Sequence, residues 1–128
     1  MFELTINDVV YQFKFGLGFV REINKKVSKT DGNNAKQELG LQYAVAGLID
    51  EDPLALVDIL DLANKTEKPR VTRNLLDAYI EDENTDISAL FADVLGFFEK
   101  SNATKKIVAA VQEMVAAEKA KQDQQKQQ

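Results

Sequence analysis

The chain has 128 residues, of which 45% are apolar and 29% charged, as in an ordinary globular domain, and its formal net charge is −5. It contains no histidine, cysteine or tryptophan, which excludes histidine-based acid–base catalysis, disulfides, thiolate nucleophiles and the usual zinc or iron sites. The apolar runs are far shorter than the ~20 residues that cross a bilayer, and the first residues do not resemble a signal peptide, so we expect a cytoplasmic protein with no membrane partner.

The N-terminal residues predict a β-hairpin. Residues 2–6 alternate apolar and polar side chains with period two, as a half-buried strand does. Residues 9–15 alternate in the same way, and one face of this run carries Val9, Tyr11, Phe13 and Phe15. Asn7 and Asp8, between the runs, tolerate positive φ and favour a two-residue turn. Because a lone hairpin is marginal in water, we expect it to pack on helices or on another chain.

Two amphipathic helices are predicted next. From residue 17 the apolar spacing changes to three and four residues, and one side of this helix carries Leu17, Val20, Ile23 and Val27. Residues 28–34 are rich in helix breakers and predict a loop. A second helix is expected over residues 36–49, with an inward face formed by Leu39, Tyr43, Ala46 and Leu48 or Ile49.

Four more helices are each preceded by a residue whose side chain can accept hydrogen bonds from the free N–H groups of the first turn. These capping residues are Asp52, Thr72, Asp86 and Ser101. Pro53, directly after the first cap, suits the first helical position, and the last helix is expected over residues 105–121. The predicted fold is α+β but mostly α: an N-terminal hairpin followed by about six short helices.

The C-terminal segment, KAKQDQQKQQ, differs from the rest of the chain in having no apolar side chain except alanine. Such a segment cannot contribute to a core and is expected to fray or to be disordered. We therefore expect a single domain over residues 1–118 and a flexible Gln/Lys-rich tail over residues 119–128.

Charge is distributed unevenly along the chain. Residues 48–99 carry four basic and thirteen acidic side chains, a net charge of −9, whereas residues 100–128 carry six basic and three acidic ones, a net charge of +3. The acidic middle argues against a nucleic-acid partner, because phosphate repels it. Opposite charges along one chain favour self-association or a basic protein partner, although a solvated acidic helix face is the commoner explanation of such a pattern.

The segment YQFKFGLGFVREINKK, residues 11–26, passes from strand to helix through Gly16-Leu17-Gly18. Glycines at such a junction can bind phosphate. The dinucleotide fingerprint, however, needs a third glycine where this chain has Arg21, and no Walker sequence is present. The favoured interpretation is structural, with Gly16 and Gly18 permitting a sharp turn and close backbone approach. We expect this junction to anchor the core through Phe13, Phe15, Phe19, Val20 and Ile23.

A second candidate for ligand chemistry is the acidic stretch that follows residue 81. The first four ligand positions of an EF-hand calcium loop would be occupied by Asp82, Asn84, Asp86 and Ser88. The loop also needs a glycine where the chain has Ile87 and usually a glutamate where it has Asp93, so helix capping by Asp86 explains the stretch better. No metal, cofactor or catalytic residue is predicted, and we expect the protein not to be an enzyme.

The last helix is the amphipathic element with the greatest interaction potential. Its apolar face, flanked by alanines, consists of Ile107, Val108, Val111, Met114 and Val115. A helix of this composition either docks on its own domain or lies against a partner helix. Docking on the domain is the favoured alternative.

Several short sequences, taken in order, resemble those of one family. They are FELTIN and YQFKFGLGFVREIN in residues 2–24, GLQYA from residue 40, DPLAL from residue 52, KPR from residue 68 and FFEKSNATKK from residue 97. Together they cover about residues 2–106, and their order and spacing resemble the tail assembly chaperones of long-tailed bacteriophages (siphophages), or prophages, of Gram-positive bacteria. No single one of these sequences is specific, and the Gln-rich tail lies outside the resemblance.

The resemblance implies a role and a set of partners. Members of this family bind the tape measure protein, a long and largely helical chain, keep it soluble, and bring tail tube protein to polymerise around it. They act in the host cytoplasm and are absent from the finished virion. Members often have a short and a frameshifted longer form, and this chain would be the short form. The alternatives are a structural tail component and a small prophage-encoded adaptor or regulator.

Overall fold

Two antiparallel hairpins and six helices make up the computed structural model, which describes residues 1–30 and 32–126. The strands are β1 (Phe2–Ile6), β2 (Val9–Phe13), β3 (Ser28–Thr30) and β4 (Lys36–Glu38). The helices are α1 (Leu17–Asn24), α2 (Gly40–Ile49), α3 (Pro53–Asn64), α4 (Arg73–Glu81), α5 (Ile87–Lys100) and α6 (Lys105–Lys126). The predicted fold class, a mostly helical chain behind an N-terminal hairpin, is confirmed.

The first hairpin turns where the sequence predicts. Asn7 and Asp8 have φ angles of 52° and 66°, the left-handed backbone that a tight two-residue hairpin requires. One face of the two strands is buried through Phe2, Ile6, Tyr11 and Phe13. Val9 was predicted to share that face, but it is 39% exposed, although it pairs with the buried Ile6 in the last residue pair before the turn.

The segment between α1 and α2 departs from the prediction. Residues 28–30 and 36–38 pair as an antiparallel hairpin, from Ser28 opposite Glu38 to Thr30 opposite Lys36. The predicted loop over residues 28–34 and the predicted helix start at residue 36 were therefore wrong. All six side chains are exposed. The pairing therefore rests on backbone hydrogen bonds and leaves no apolar periodicity in the sequence.

The inward face of α2 also differs from the predicted one. The buried face is formed by Leu41, Ala44, Val45 and Leu48. Of the predicted inward residues only Leu48 is fully buried, Leu39 precedes the helix, and Tyr43 is 60% exposed. The predicted face is therefore partly correct: Ala46 and Ile49 are half-buried against the core, whereas Tyr43 lies on the opposite side of the helix from the centre of the buried face.

The start of α2 packs tightly against the end of α1. A Cβ added at Gly40 would overlap the carbonyl oxygen of Ile23 and lie 2.8 Å from the Cα of Asn24, so this position accepts only glycine without movement of the backbone. The close approach lets the Asn24 side chain accept a hydrogen bond from the Leu41 N–H group at 2.9 Å. A residue of α1 thus satisfies a free N–H group of α2.

The next three helices begin at the predicted caps. The Asp52 carboxylate accepts from the Leu54 N–H group at 3.0 Å, and Pro53 occupies the first turn as expected. The Thr72 hydroxyl and the Asp86 carboxylate accept from N–H groups three residues ahead, at 3.2 and 3.1 Å. Local capping chemistry is therefore enough to fix these three starting points.

A buried amide fastens the hairpin to α3 and to the chain that follows it. Asn64, the last residue of α3, donates hydrogen bonds to the carbonyl oxygens of Gln12 at 2.9 Å and Pro69 at 3.1 Å. Its own oxygen accepts from the Val71 N–H group at 2.7 Å and from Arg70 at 3.1 Å. Because every polar atom of the Asn64 side chain is satisfied, its burial costs little and its hydrogen bonds fix the register of three segments.

Candidate functional site

The segment with the strongest family resemblance lies in the core. Phe13, Phe15 and Phe19 are all buried, and the Phe15 ring centroid is 5.5 Å from that of Phe19 and 5.0 Å from that of Phe98 on α5. The Ser101 hydroxyl also donates to the Phe15 carbonyl at 3.1 Å. The segment thus holds the hairpin, α1 and α5 together, the structural position that the sequence predicts for it.

The two glycines of this segment do not have the predicted conformational role. Gly16 has a φ of −106° and neither glycine has a positive φ. A Cβ at Gly16 would make only an ordinary contact, and one at Gly18 would meet nothing within 4 Å. The expectation that these glycines permit a close backbone approach is therefore wrong, and within the described chain that role belongs to Gly40.

A cleft of about 790 Å³ opens beside the junction, between α1 and the end of α3. Its lining includes Lys14 and Lys65, but also Glu22 and Glu67, and Lys65 pairs with Glu22 at 3.2 Å. Because acidic and basic side chains balance, the cleft lacks the excess of positive charge that favours a phosphate. The interpretation of Gly16 and Gly18 as a phosphate loop gains no support from this geometry.

The acidic stretch before α5 satisfies its own backbone. The Asp82 carboxylate accepts from the Asn84 N–H group at 2.9 Å, and Asp86 caps α5 as predicted. Within residues 1–30 and 32–126 no group of three or more acidic side chains is arranged to hold a metal ion. These hydrogen bonds account for the carboxylates as turn and cap residues.

The predicted interaction face of α6 divides into two parts. Val108 and Val111 are buried against α2 and α5, and Ile107 is half-buried beside them. Met114 and Val115 are 59% and 37% exposed, and every described side chain from Gln112 to Gln124 is exposed. The first half of the face therefore docks on the domain, whereas the second half has no covering element within the described chain.

We call residues 112–126 the α6 arm. The arm is helical to Lys126, although the sequence predicts a flexible tail from residue 119. Residues 127 and 128, the end of that predicted tail, lie outside the described residues. At 1.5 Å per residue, the arm extends the helix by about 22 Å beyond the buried Val111.

A second uncovered apolar surface lies where α1 ends and α2 and α3 begin. We call it the Tyr43–Leu54 groove: its volume is about 280 Å³, and Tyr43 and Leu54, on its walls, are 60% and 77% exposed. The sequence interpretation missed this groove because it placed Tyr43 in the core. The available signal was Leu54, an apolar residue in the first turn of α3 that falls off the buried stripe of Leu56, Val57 and Leu60.

A network of ion pairs borders the groove on the α3 side. Arg73 contacts Asp58 at 2.8 Å and Asp61 at 3.3 Å, and Arg70 contacts Asp61 at 3.0 Å. The hydrogen bond with Asp58 raises the pKa of Arg73 above its ordinary value. The pairs are partly exposed and contribute little energy singly, but they leave Asp58 and Asp61 matched by positive charge.

The chain matches the family model of phage tail assembly chaperone protein, TAC, over residues 3–113. It belongs to the phage tail assembly chaperones. Neither a curated protein nor a solved structure matches it. A tail assembly chaperone acts while the tail is built and is not a structural component of the virion. In the described residues of this chaperone, no helix has the length and apolar character needed to span a membrane.

The extent of the family match follows the packing of this tail assembly chaperone. The match ends at Glu113, two residues after Val111, which is the last buried one among the described side chains of α6. The matched region therefore comprises the packed domain. It includes the Tyr43–Leu54 groove and the buried cluster that we call the aromatic junction, formed by Phe13, Phe15, Phe19 and Phe98. Most of the α6 arm lies beyond the matched region.

Proposed function

We propose that this tail assembly chaperone binds the tape measure protein, keeps it soluble and helps to recruit tail tube protein in the cytoplasm of the host. The observation that carries the proposal is the presence of uncovered apolar side chains, in the Tyr43–Leu54 groove and on the α6 arm, on a domain of the chaperone family. Exposed apolar patches on an otherwise packed domain are typical of surfaces that bind other proteins.

The chemistry of the proposed partner fits such surfaces. A long helical protein without its assembly partners exposes apolar stripes, which aggregate unless they are covered. An amphipathic helix binds by placing its apolar side chains in a groove between helices. Binding of this kind needs no catalytic residue, and we propose that the protein is not an enzyme.

We further propose that several copies associate while they cover one tape measure protein. Residues 48–99 carry a net charge of −9 and residues 100–128 a net charge of +3, so the acidic part of one copy attracts the basic part of the next. Such a head-to-tail contact is heterologous and propagates unless it closes into a ring. Charge reversal at Lys105 and Lys106 is expected to weaken the oligomers in sedimentation, and unchanged oligomers would contradict this contact.

Co-expression with the tape measure protein of the same phage tests the main proposal. We expect the tape measure protein to be soluble and to co-purify with this chain, and to precipitate when it is expressed alone. A tape measure protein that remains insoluble would contradict the proposal. Mass spectrometry of purified virions distinguishes the alternative of a structural tail component, because a chaperone should be absent from them. A prophage adaptor or regulator would neither solubilise the tape measure protein nor be present in purified virions.

A further inference from the structure

The outer edge of β1 is an open backbone surface. The two-residue turn makes Ile6 and Val9 a hydrogen-bonded pair. Because hydrogen-bonded and non-hydrogen-bonded pairs alternate along an antiparallel ladder, the N–H and C=O groups of Glu3 and Thr5 point away from β2. Within the described chain no other element forms a hydrogen bond with these groups. β1 therefore presents free donors and acceptors that another strand could pair with.

The outer edge of β2, in contrast, is partly covered. The same alternation turns Gln12 and Lys14 outward, and the C=O group of Gln12 accepts a hydrogen bond from Asn64 at 2.9 Å. The N–H group of Lys14 donates to the C=O group of Ala63, also at 2.9 Å. β1 has five residues, with no proline or lysine and no break in its register, so it lacks the usual features that prevent pairing at an edge.

A groove beside the β1 edge leaves room for a third strand. We call it the β1 groove: one wall is formed by Thr5, Ile6 and Asn7, and the other by α4 and the acidic stretch before α5. Thr5 and Ile6 belong to opposite faces of the strand, so a groove lined by both lies along its edge. Its volume is about 420 Å³, and its α4 wall includes the half-buried Leu75 and Tyr79.

The far wall of the β1 groove is held in place by its own hydrogen bonds. The Thr85 hydroxyl donates to the C=O group of Tyr79 at 2.7 Å, and the Thr85 N–H group donates to the C=O group of Asp82 at 3.0 Å. Asp86 caps α5. The groove is therefore formed before a partner arrives, which lowers the entropic cost of binding.

The charges at the β1 groove restrict its occupant. Its lining includes the carboxylates of Asp82 and Asp86, and none of the described lining side chains is basic. Glu3 adds an exposed carboxylate further along β1. None of the three forms an ion pair with a described residue. A matching strand is therefore basic, whereas the β1 edge of a second copy would bring like charges together.

We propose that an extended, basic segment of a partner protein adds to β1 as a third strand and fills the β1 groove. Its backbone pairs with Glu3 and Thr5, its apolar side chains pack on the α4 wall, and its lysine or arginine side chains face the three carboxylates. Pairing of this kind takes affinity from the backbone and specificity from alternate side chains. The site is separate from the Tyr43–Leu54 groove and the α6 arm, and it does not rest on binding of the tape measure protein.

A synthetic peptide of about eight residues, in which lysine and valine alternate, tests the proposal by calorimetry. We expect it to bind, and to bind less tightly as the salt concentration rises. The same peptide with glutamate in place of lysine should bind at least about tenfold more weakly. Equal affinities of the two peptides, or no binding of the basic peptide up to about 1 mM, would overturn the proposal.

N-methylation of the peptide tests whether it binds as a strand. Methylating the lysine residues or the valine residues removes the N–H groups of one edge or of the other. Because a strand pairs with β1 through one edge, one methylated peptide should lose binding and the other should keep it. Equal loss in both would contradict strand addition.

Proline substitution tests the same edge on the protein. Thr5→Pro removes an N–H group that points away from β2, and Val10→Pro, in the same residue pair, removes one at the opposite edge of the hairpin. Neither N–H group belongs to the ladder, so an edge strand tolerates both prolines. Thr5→Pro should weaken binding of the basic peptide about tenfold or more, and Val10→Pro less than about twofold. Equal effects in variants that circular dichroism shows to be folded would contradict the site.

Hydrogen exchange of the wild-type chain tests the site without any substitution. The N–H groups of Glu3 and Thr5 should exchange rapidly in the free protein and at least about tenfold more slowly with saturating peptide. The Leu4 N–H group, which is bonded to β2, should be protected in both states. Binding without new protection at Glu3 and Thr5 would overturn the proposal. Dimers of the wild-type chain that Thr5→Pro dissociates would also overturn it, because a second copy would then occupy the edge.

Discussion

The aromatic junction and the Tyr43–Leu54 groove are built from similar apolar side chains but differ in what covers them. At the junction, Phe15 contacts rings from β1, α1 and α5 and its carbonyl accepts a hydrogen bond from Ser101. At the groove, Tyr43 and Leu54 stand on the outer sides of α2 and α3. The comparison indicates that the first region specifies the fold, whereas the second is available for binding.

The largest expected effect is at the junction. Phe98→Ala removes a fully buried ring that contacts Phe15 and Phe19, and it should lower the free energy of unfolding by about 3–5 kcal/mol. Phe97→Ala is the matched control, because the adjacent ring is 39% exposed and its loss should cost less than half as much. Urea denaturation of the two variants measures the difference. Equal losses would show that the junction is not the centre of the core.

A smaller effect separates the glycines that the structure needs from those it tolerates. Gly40→Ala forces α1 and α2 apart, because its Cβ overlaps backbone atoms of Ile23 and Asn24, and should lower the free energy of unfolding by about 1–3 kcal/mol. Gly18→Ala, inside α1 with open space around it, should raise it by roughly 0.5–1 kcal/mol. Thermal unfolding measures whether each variant is stabilised or destabilised. A stabilised Gly40→Ala variant would contradict the close approach of α1 and α2 at this residue.

Features set by neighbouring residues could be predicted from the sequence, and those set by distant ones could not. The turn at Asn7 and Asp8 and the caps at Asp52, Thr72 and Asp86 depend on side chains within a few residues, and all were predicted correctly. The second hairpin was missed because its side chains are exposed and only its backbone pairs. That error placed the start of α2 too early. Tyr43 was misplaced for a different reason: α2 carries apolar residues on nearly every side, so their spacing does not select one inward face.

The two candidate binding surfaces were also predicted only as far as neighbouring residues determine them. The apolar face of α6 was found by its periodicity, but the sequence could not show that the domain ends beside Val111 and leaves Met114 uncovered. The groove brings together the end of α1 and the starts of α2 and α3, whose approach depends on Gly40. A glycine that must contact a distant carbonyl has no local sequence signal, because glycine is also common in loops.

The smallest effects on the free energy of unfolding test where the packed domain ends and the exposed α6 arm begins. Val111→Ala removes the two γ-methyl groups of a side chain that is 3% exposed and should lower the free energy of unfolding by about 1–2 kcal/mol. Val115→Ala, one helical turn further on and 37% exposed, should change it in the monomer by less than about 0.5 kcal/mol. Urea denaturation at low protein concentration measures both without a contribution from association. If the Val115 variant loses as much as the Val111 variant, the arm packs on its own domain in solution.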